Sequence, residues 1–485
     1  MTLRELARRC GASEMLLPEV AEMEPTGISI DSRAIRPGEL FVAIPGERVD
    51  GHRFVAEALA NGAVAAMVVH HRLPFATQLG ESVGRLIFVE STRCALQQLA
   101  ARVLAEWNRP VVGITGSAGK TTMKDLTTHL LGERQRVLSS PGNLNTGYGL
   151  ALTVAQMIGR GARPQDFDVA VIEMGMSSYG EIARLTDLAR PEVGVVGNVG
   201  SAHIEFFQTP ERIARAKAEM VDGIRPGGTA VLNADDPRVL AMAGRRNDLR
   251  ILTFGIESPA TVTAHDLRVA DDLSGTTFRL RTPDGEAMVT LPLIGRHNVA
   301  NALAAVTVAV ALGLPVGQVA GRLATANPSR RRGEVIRLTG GVKVIDDSYN
   351  SNPPALLEAV RGIVAARPVG ARIVVVAGEM LELGREAEEL HHQCGREMAR
   401  LGVDCLIGVR GQARALVAGF DEAAGGGSSR GIFCATTEEA ATRLPELIEP
   451  GDTILVKGSR GVRMETIVEN LKSNGWERHG LRSRE

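Results

Sequence analysis

The chain has 485 residues, of which 44% are hydrophobic and 54 are glycine, and its formal net charge is −1 at pH 7. That balance gives no electrostatic case for nucleic acid or an anionic membrane surface, and no stretch approaches the ~18 apolar residues of a membrane span. The length suits three domains of ~100–200 residues each. Five scattered cysteines (Cys10, Cys94, Cys394, Cys405, Cys434) show no C-x-x-C spacing. An odd number without pairing logic points to a reducing cytosol rather than a disulfide framework.

The opening MTLRELARRCGA reads as an amphipathic helix and lacks the apolar centre of a signal peptide, so a cytoplasmic protein is expected. Residues 1–107 form a first compact unit. Within it LFVAI is a buried strand, PGERVDGH a tight loop, FVAEALANGA a helix ended by Gly62, and VAAMVV another strand. Asp31, Ser32 and Arg33 lie on the loop before LFVAI. Backbone and guanidinium there suit a diphosphate or a base, but the same triplet also reads as a cap with a local ion pair.

The second unit, residues 108–325, is organised by VVGITGSAGKTT. A β-branched run breaks into a loop with Gly116 and Gly119, and MKDLTTHLL continues at helical spacing. Strand, glycine loop, lysine, hydroxyl and helix are the context of a phosphate-binding loop, with Thr115, Gly116, Ser117, Ala118, Gly119, Lys120, Thr121 and Thr122 around the nucleotide. Lys120 is expected to reach the terminal phosphates of ATP, and Thr121 to set its hydroxyl on a magnesium ion. The general pattern G-x-x-x-x-G-K-[ST] would put its first glycine at Ile114; the glycine here is Gly113, one residue earlier.

SSPGNLNTGYGLALTV then reads as a loop lining a site. VAVIEM is a strand ending at Glu173, where a carboxylate at a carboxyl-terminal strand end can hold magnesium. VGVVGNV is a further strand, and its polar loop carries His203. Lys217 follows on a helix (ARAKAEM), and an isolated helix lysine is by default solvated. From about residue 252 to 293 short alternating strands predict an antiparallel ribbon beside a parallel sheet. GRHNVANALAAVTVAVALGL opens a long apolar helix whose Asn298 and Asn301 are caps only or face an adenine edge.

The third unit, residues 326–475, begins in a Pro-, Ser- and Arg-rich boundary. Arg330, Arg331 and Arg332 are either a solvated run or include one arginine that closes on a phosphate. Strand-then-glycine-loop segments (VKVIDDSYN, ARIVVVAGEM, CLIGV, DTILVKGSRG) alternate with helices, which predicts a second doubly wound domain. Residues 476–485 are charged and expected to be disordered.

Together these segments closely resemble the Mur ligase family along essentially the whole chain. The carriers are DSRAIRPGELFVAIPG, GITGSAGKTTMKD, VIEMGMSSYGEI, NVGSAHIE with RARAKAEM, GRHNVANALAA, IDDSYNSNP, GEMLELG followed by His391, and KGSRGVRME. The resemblance implies an α/β protein of three domains: a small amino-terminal UDP-substrate domain, a central parallel-sheet ATPase domain with an antiparallel ribbon, and a carboxyl-terminal Rossmann-like domain. It implies ATP and Mg2+ as cofactors, with magnesium on Thr121, Glu173 and His203. Lys217 matches the lysine that the family carries as a metal-binding carbamate. Asn298, Asn301 and Asp347 match adenine and ribose contacts, and Arg332 matches the hinge arginine at the transferring phosphate. Arg331 stands where the family has a glycine. In GNLNTGYGLALT the usual paired asparagines are Asn145 and Thr146, and the usual proline is Ala151. Asp31, Ser32 and Arg33 fall to the UDP-sugar, and Lys457, Ser459 and Arg460 to the acceptor.

Within the family DDSYN, GEMLELG and KGSRGVRME favour the branch that adds D-alanyl-D-alanine to UDP-N-acetylmuramoyl-tripeptide through an acyl phosphate. A D-N-P-R acceptor motif, which marks the sister enzyme adding meso-diaminopimelate or lysine, is missing. The amino-terminal unit speaks against a folylpolyglutamate synthetase. A reading from another class, a phosphate-loop module that uses ATP only as a conformational switch, predicts hydrolysis that no amino acid stimulates. No nucleic acid or membrane partner is expected, and a monomer is.

Overall fold

The computed structural model describes residues 1–46, 49–72, 80–142, 144–159, 161–200, 204–327, 329–367, 370–425 and 429–473. The tail expected to be disordered, 476–485, lies outside them. Three sheets follow one another along the chain, and the chain is α/β as expected.

The first sheet has five strands in the order Ser13–Leu16, Arg85–Val89, Ala65–Val69, Leu40–Val42 and Ile28–Ser29, antiparallel only at the first pair. One face is covered by the short helix Val55–Ala60. The other packs on Leu3–Arg9 and on the long helix Thr92–Trp107, which Ser91 caps by accepting from Cys94 N. Parallel strands buried on both faces need continuous apolar runs, which AAMVV supplies.

The second sheet has nine strands. Val111–Thr115 sits between Val193–Val196 and Val169–Glu173, with Val137–Ser139 at one edge. Thr229–Asn233 and Arg250–Gly255 continue it in parallel on the other side. Antiparallel pairing starts only with Val262–Val269, Thr276–Thr282 and Gly285–Leu291. The predicted ribbon therefore begins later than residue 252, because Leu252 and Phe254 are buried as part of the parallel sheet. The chain leaves Val111–Thr115 toward one edge and Val193–Val196 toward the other. The crevice between their carboxyl ends is where an open α/β sheet takes its ligand. The apolar helix Arg296–Ala311 covers this sheet through Val299, Leu303 and Val306.

The third sheet runs Glu334–Arg337, Lys343–Asp347, Thr453–Lys457, Ile373–Gly378, Cys405–Val409 and Arg430–Cys434. Only the first pair is antiparallel. The edge strand Glu334–Arg337 starts at the end of the boundary read from sequence, Ala324 to Val335. At the tip of the ribbon, Leu273 is fully buried among carboxyl-terminal core residues such as Leu356 and Val360. Arg337 binds Asp272 at 3.0 Å beside it.

Candidate active site

A cleft of ≈ 670 Å³ lies between the second and third sheets, with residues 117–123 on one wall and Arg332, Asp347, Lys457 and Arg460 on the other. The first wall is the phosphate loop. Gly119 has φ +77°, and a Cβ there would stand 2.2 Å from Asn301 Oδ1, so both conformation and space require glycine. The loop is held from the neighbouring strand end: Asn198 Oδ1 accepts from Ala118 N at 2.8 Å, its amide donates to Ala118 O at 3.0 Å, and Gly200 N donates to Ser117 Oγ at 2.9 Å. Gly113, displaced from the general motif, lies within the strand. A Cβ there would press on Met220 Sδ at 3.1 Å and Met174 Cε at 3.2 Å, so its role is packing. Thr115 is buried at the strand end and Thr122 lines the cleft.

Lys120 Nζ donates to Gly116 O at 3.0 Å, folded back over the loop. Desolvation pulls its pKa down, the Glu173 carboxylate opposes that, and Arg332 adds to the lowering. Glu173 is 2% exposed at its strand end. Thr121 Oγ1 donates to its Oε2 at 2.7 Å and Asn145 Nδ2 to its Oε1 at 2.9 Å. A hydroxyl and a carboxylate convergent beside a phosphate loop are hard oxygen donors, the set that magnesium takes while keeping phosphate oxygens and water as its other ligands. Thr146, the neighbour of Asn145, caps the helix Gly147–Ala155 instead, accepting from Gly149 N.

His203 lies outside the described residues. Lys217 does not behave as a solvated helix lysine: it is 2% exposed. The helix Pro210–Asp222 turns it inward with Ile213, Ala216 and Met220. Burial first, and then the charge of Lys120, hold its pKa well below the ordinary lysine value. Its amine is therefore biased toward the neutral, nucleophilic form.

On the opposite wall the three arginines separate. Arg331 takes φ +63° and pairs with Glu465 at 3.2 Å and Glu469 at 3.0 Å, away from the cleft. Arg330 is exposed outside the cleft lining, and only Arg332 lines it. The Arg332 guanidinium stacks 4.0 Å from the Tyr349 ring centroid, and Arg460 approaches the same ring, donating to its hydroxyl at 3.2 Å. Asp347 accepts from Lys457 Nζ at 2.5 Å, and Lys457 also donates to Asn350 O. Ser459 is buried and accepts from Leu381 N at 2.9 Å. Asn298 and Asn301 are buried on the cleft wall; Asn298 Nδ2 donates to Ile294 O at 2.8 Å.

The triplet Asp31, Ser32 and Arg33 is not brought to this cleft. Arg33 forms an ion pair with Asp31 at 2.8 Å, and Asp31 caps the short turn Ser32–Ala34 by accepting from Arg33 N.

Sequence reasoning assigned no role to Asn198, and it left Asn145 as a departure from a family pattern. Asn198 had one usable signal, since it ends the apolar run VGVVGN at the point where two strand-end loops face each other. His391 has a structural place in the third unit. It is fully buried, its Nε2 accepts from Met380 N at 2.9 Å, and its Nδ1 donates to Ala387 O at 2.6 Å.

The chain is similar along most of its length to known proteins. Three family descriptions match in succession: "Mur ligase family, catalytic domain" over residues 24–103, "Mur ligase middle domain" over 114–309, and "Mur ligase, glutamate ligase domain" over 331–460. UDP-N-acetylmuramoyl-tripeptide--D-alanyl-D-alanine ligase of Escherichia coli strain K12 is 36% identical over 460 residues, covering 94% of this chain and 95% of the relative. The crystal structure of MurF from Acinetobacter baumannii superposes with a TM-score of 0.83 at 30% identity, covering 97% of this chain and 98% of the other. MurF ligase from Thermotoga maritima, solved in complex with ADP, gives 0.79 at 30% identity, covering 93% and 98%.

Proposed function

This chain belongs to the Mur ligase family, and we propose that it joins D-alanyl-D-alanine to UDP-N-acetylmuramoyl-tripeptide at the expense of ATP. The observation that carries the reading is the pairing across one cleft of a held phosphate loop with Arg332, Lys457 and Arg460 from the third sheet. Similarity to relatives that bear this activity in their name supports it.

In this reading residues 1–107 hold the UDP-sugar through Asp31, Ser32 and Arg33. Residues 108–325 bind ATP through Thr115 to Thr122, Asn298 and Asn301. Residues 326–475 add Asp347 at the ribose and bring the acceptor through Lys457, Ser459 and Arg460. The γ-phosphoryl group passes to the terminal carboxylate of the tripeptide: an oxygen–phosphorus bond forms as the bond to the β-phosphate oxygen breaks. Negative charge gathers on the transferring oxygens, and Lys120 and Arg332 meet it from opposite walls. The acceptor amine then attacks the carbonyl carbon, and phosphate leaves with the bonding pair. Thr121 and Glu173, with His203, would hold Mg2+, which supplies charge neutralisation between the two anions. Lys217 would serve that site as a carbamate, and its buried neutral amine is the form that adds to carbon dioxide. Burial between the two sheets shields the acyl phosphate from water.

The test is phosphate release from ATP with the UDP-tripeptide present, with and without D-alanyl-D-alanine. Release that requires the dipeptide, with pentapeptide product by mass, is expected. Release driven instead by free diaminopimelate or lysine on the dipeptide precursor would move the chain to the sister activity, and indifference to every acceptor would leave only an ATP site.

A further inference from the structure

The helix that leaves the phosphate loop, Lys120–Leu131, carries two neighbouring charges with different errands. Lys124 is 3% exposed, and its Nζ donates to Ser140 O at 2.7 Å. The Oγ of Ser140 accepts from Glu173 N at 3.2 Å, so this lysine steadies the strand end that carries the Glu173 carboxylate. Asp125, the next residue, pairs with Lys124 Nζ at 2.9 Å through Oδ1 and accepts from Ser329 Oγ through Oδ2. Its two oxygens thus divide between the site and the chain that leads into the third unit. One turn further along the helix, His129 Nε2 donates to Arg322 O of that same chain at 2.9 Å.

Ser329 stands three residues before Arg332, and the two close one turn: Arg332 N donates to Ser329 O at 3.1 Å. Arg331 within the turn is left-handed at φ +63°, and Gly333 just after it at φ +81°. The third unit holds the far end. Gly333 N donates to Asp346 O at 2.9 Å, and Tyr349 N to Arg331 O at 3.2 Å. Arg332 therefore sits between an anchor on the phosphate-loop helix and an anchor on the third sheet. A long side chain aimed at a transferring group gains from a fixed backbone, since a misplacement of ~1 Å can lower a rate by on the order of 100-fold. The acceptor in the first anchor is a carboxylate, so its bond is stronger than one between neutral groups.

We propose that Asp125 and Ser329 are positioning residues for Arg332. Their hydrogen bond fastens the turn Ser329–Arg332 to the helix of the phosphate loop, so the guanidinium is placed by the element that also holds the nucleotide's phosphates. Neither residue lines the cleft. A contact that only docks the third unit would add to stability whatever side chain stands at position 332. A contact that aims Arg332 acts on the rate, and only while the guanidinium is there. The inference rests on the ligase reading above, with Arg332 at the transferring phosphate.

The test is a cycle of variants in the full-length enzyme, with kcat and the KM for ATP read from phosphate release in the complete reaction. Ser329→Ala removes the hydroxyl and leaves Lys124 paired with Asp125. It should lower kcat by about 3–10-fold and keep the KM for ATP within about twofold of wild type. Ser329→Thr, which keeps a hydroxyl, should restore most of the loss, and Asp125→Ala should repeat the effect of Ser329→Ala. In an Arg332→Ala background, adding Ser329→Ala should change kcat by less than about twofold, because residues that act as one unit are not additive. Two effects that multiply in full overturn the proposal and leave a docking contact. So does an unchanged kcat in Ser329→Ala, or a loss that Ser329→Thr does not recover. Wild-type turnover in Arg332→Ala would remove the residue being positioned, and the proposal with it, while the ligase reading stands. Wild-type enzyme whose phosphate release ignores the dipeptide sinks the ligase reading and this inference together. Melting temperature and ADP binding of each variant report on folding separately.

Discussion

The molecule has two seams, and they are built from opposite materials. Between the first and second sheets the apolar core is continuous: Leu6, Leu99 and Trp107 belong to the same buried cluster as Leu150, Met157 and Phe167. Backbones touch there, for a Cβ at Gly159 would stand 2.7 Å from Gly27 Cα. Between the second and third sheets the seam is mostly the polar cleft, with apolar contact concentrated at Leu273 and Ile294. Opening the first seam exposes apolar surface at about 25 cal/mol per Å². At the second seam, water can replace the contacts that ligands make. The first two units are therefore expected to move as one body, and the third to be the part that swings.

The largest way to break this comparison is to empty the polar seam of its central charge. Lys120→Met should lower kcat by about 10²–10³-fold with an unchanged melting curve, since it removes charge stabilisation and no packing. A stability loss comparable to a core truncation would refute that division. Next, Arg332→Ala should cost roughly tenfold or more in turnover, whereas Arg331→Ala should leave kcat within about twofold because its ion pairs with Glu465 and Glu469 lie away from the cleft. The reverse order would reassign the phosphate contact.

At the seams themselves, Leu273→Ala should weaken docking of the third unit by about 2 kcal/mol. Calorimetry should then show that unit melting earlier while the rest holds. Gly159→Val should cost about 1–3 kcal/mol by overpacking and lower the first two units together. Separate transitions for those two would end the one-body description.

The smallest effect is in pH. Burial lowers the pKa of His391 below the ordinary 6.5. The unfolded chain then binds the proton more readily, so the stability that His391 contributes is whole above about pH 6.5 and is lost as pH falls toward the folded value. His391→Gln should remove at most ~1.4 kcal/mol of that dependence per pH unit, read as a shallower fall in melting temperature between pH 6.5 and 5.

Much of the site was legible because its chemistry is local. The phosphate loop and the carboxylate at Glu173 each show in a single strand-and-loop segment, and the alternation of strands and helices gives the α/β class. What escaped depends on contacts distant in sequence. Lys217 reads as solvated because its neighbours are small and charged, and only the packing of its helix turns it inward. Three consecutive arginines look equivalent in a chain. The left-handed backbone at Arg331 sends one to Glu465 and leaves the next on Tyr349. Asn198 meets Ala118 across 80 residues, and no spacing rule reaches that far. Gly113 looked like a misplaced motif glycine, and it is the room that two thioethers need.

The helix Thr92–Trp107 carries one apolar stripe, from Ala95 to Trp107, into a core shared by two units. Its evolution is constrained accordingly. A substitution at Leu99 or Val103 must suit two sets of neighbours at once, so drift on that stripe should be slow and its changes paired with changes in Gly147–Ala155. A recombination that exchanges the first unit between relatives would have to carry both helices, or leave each facing a stranger.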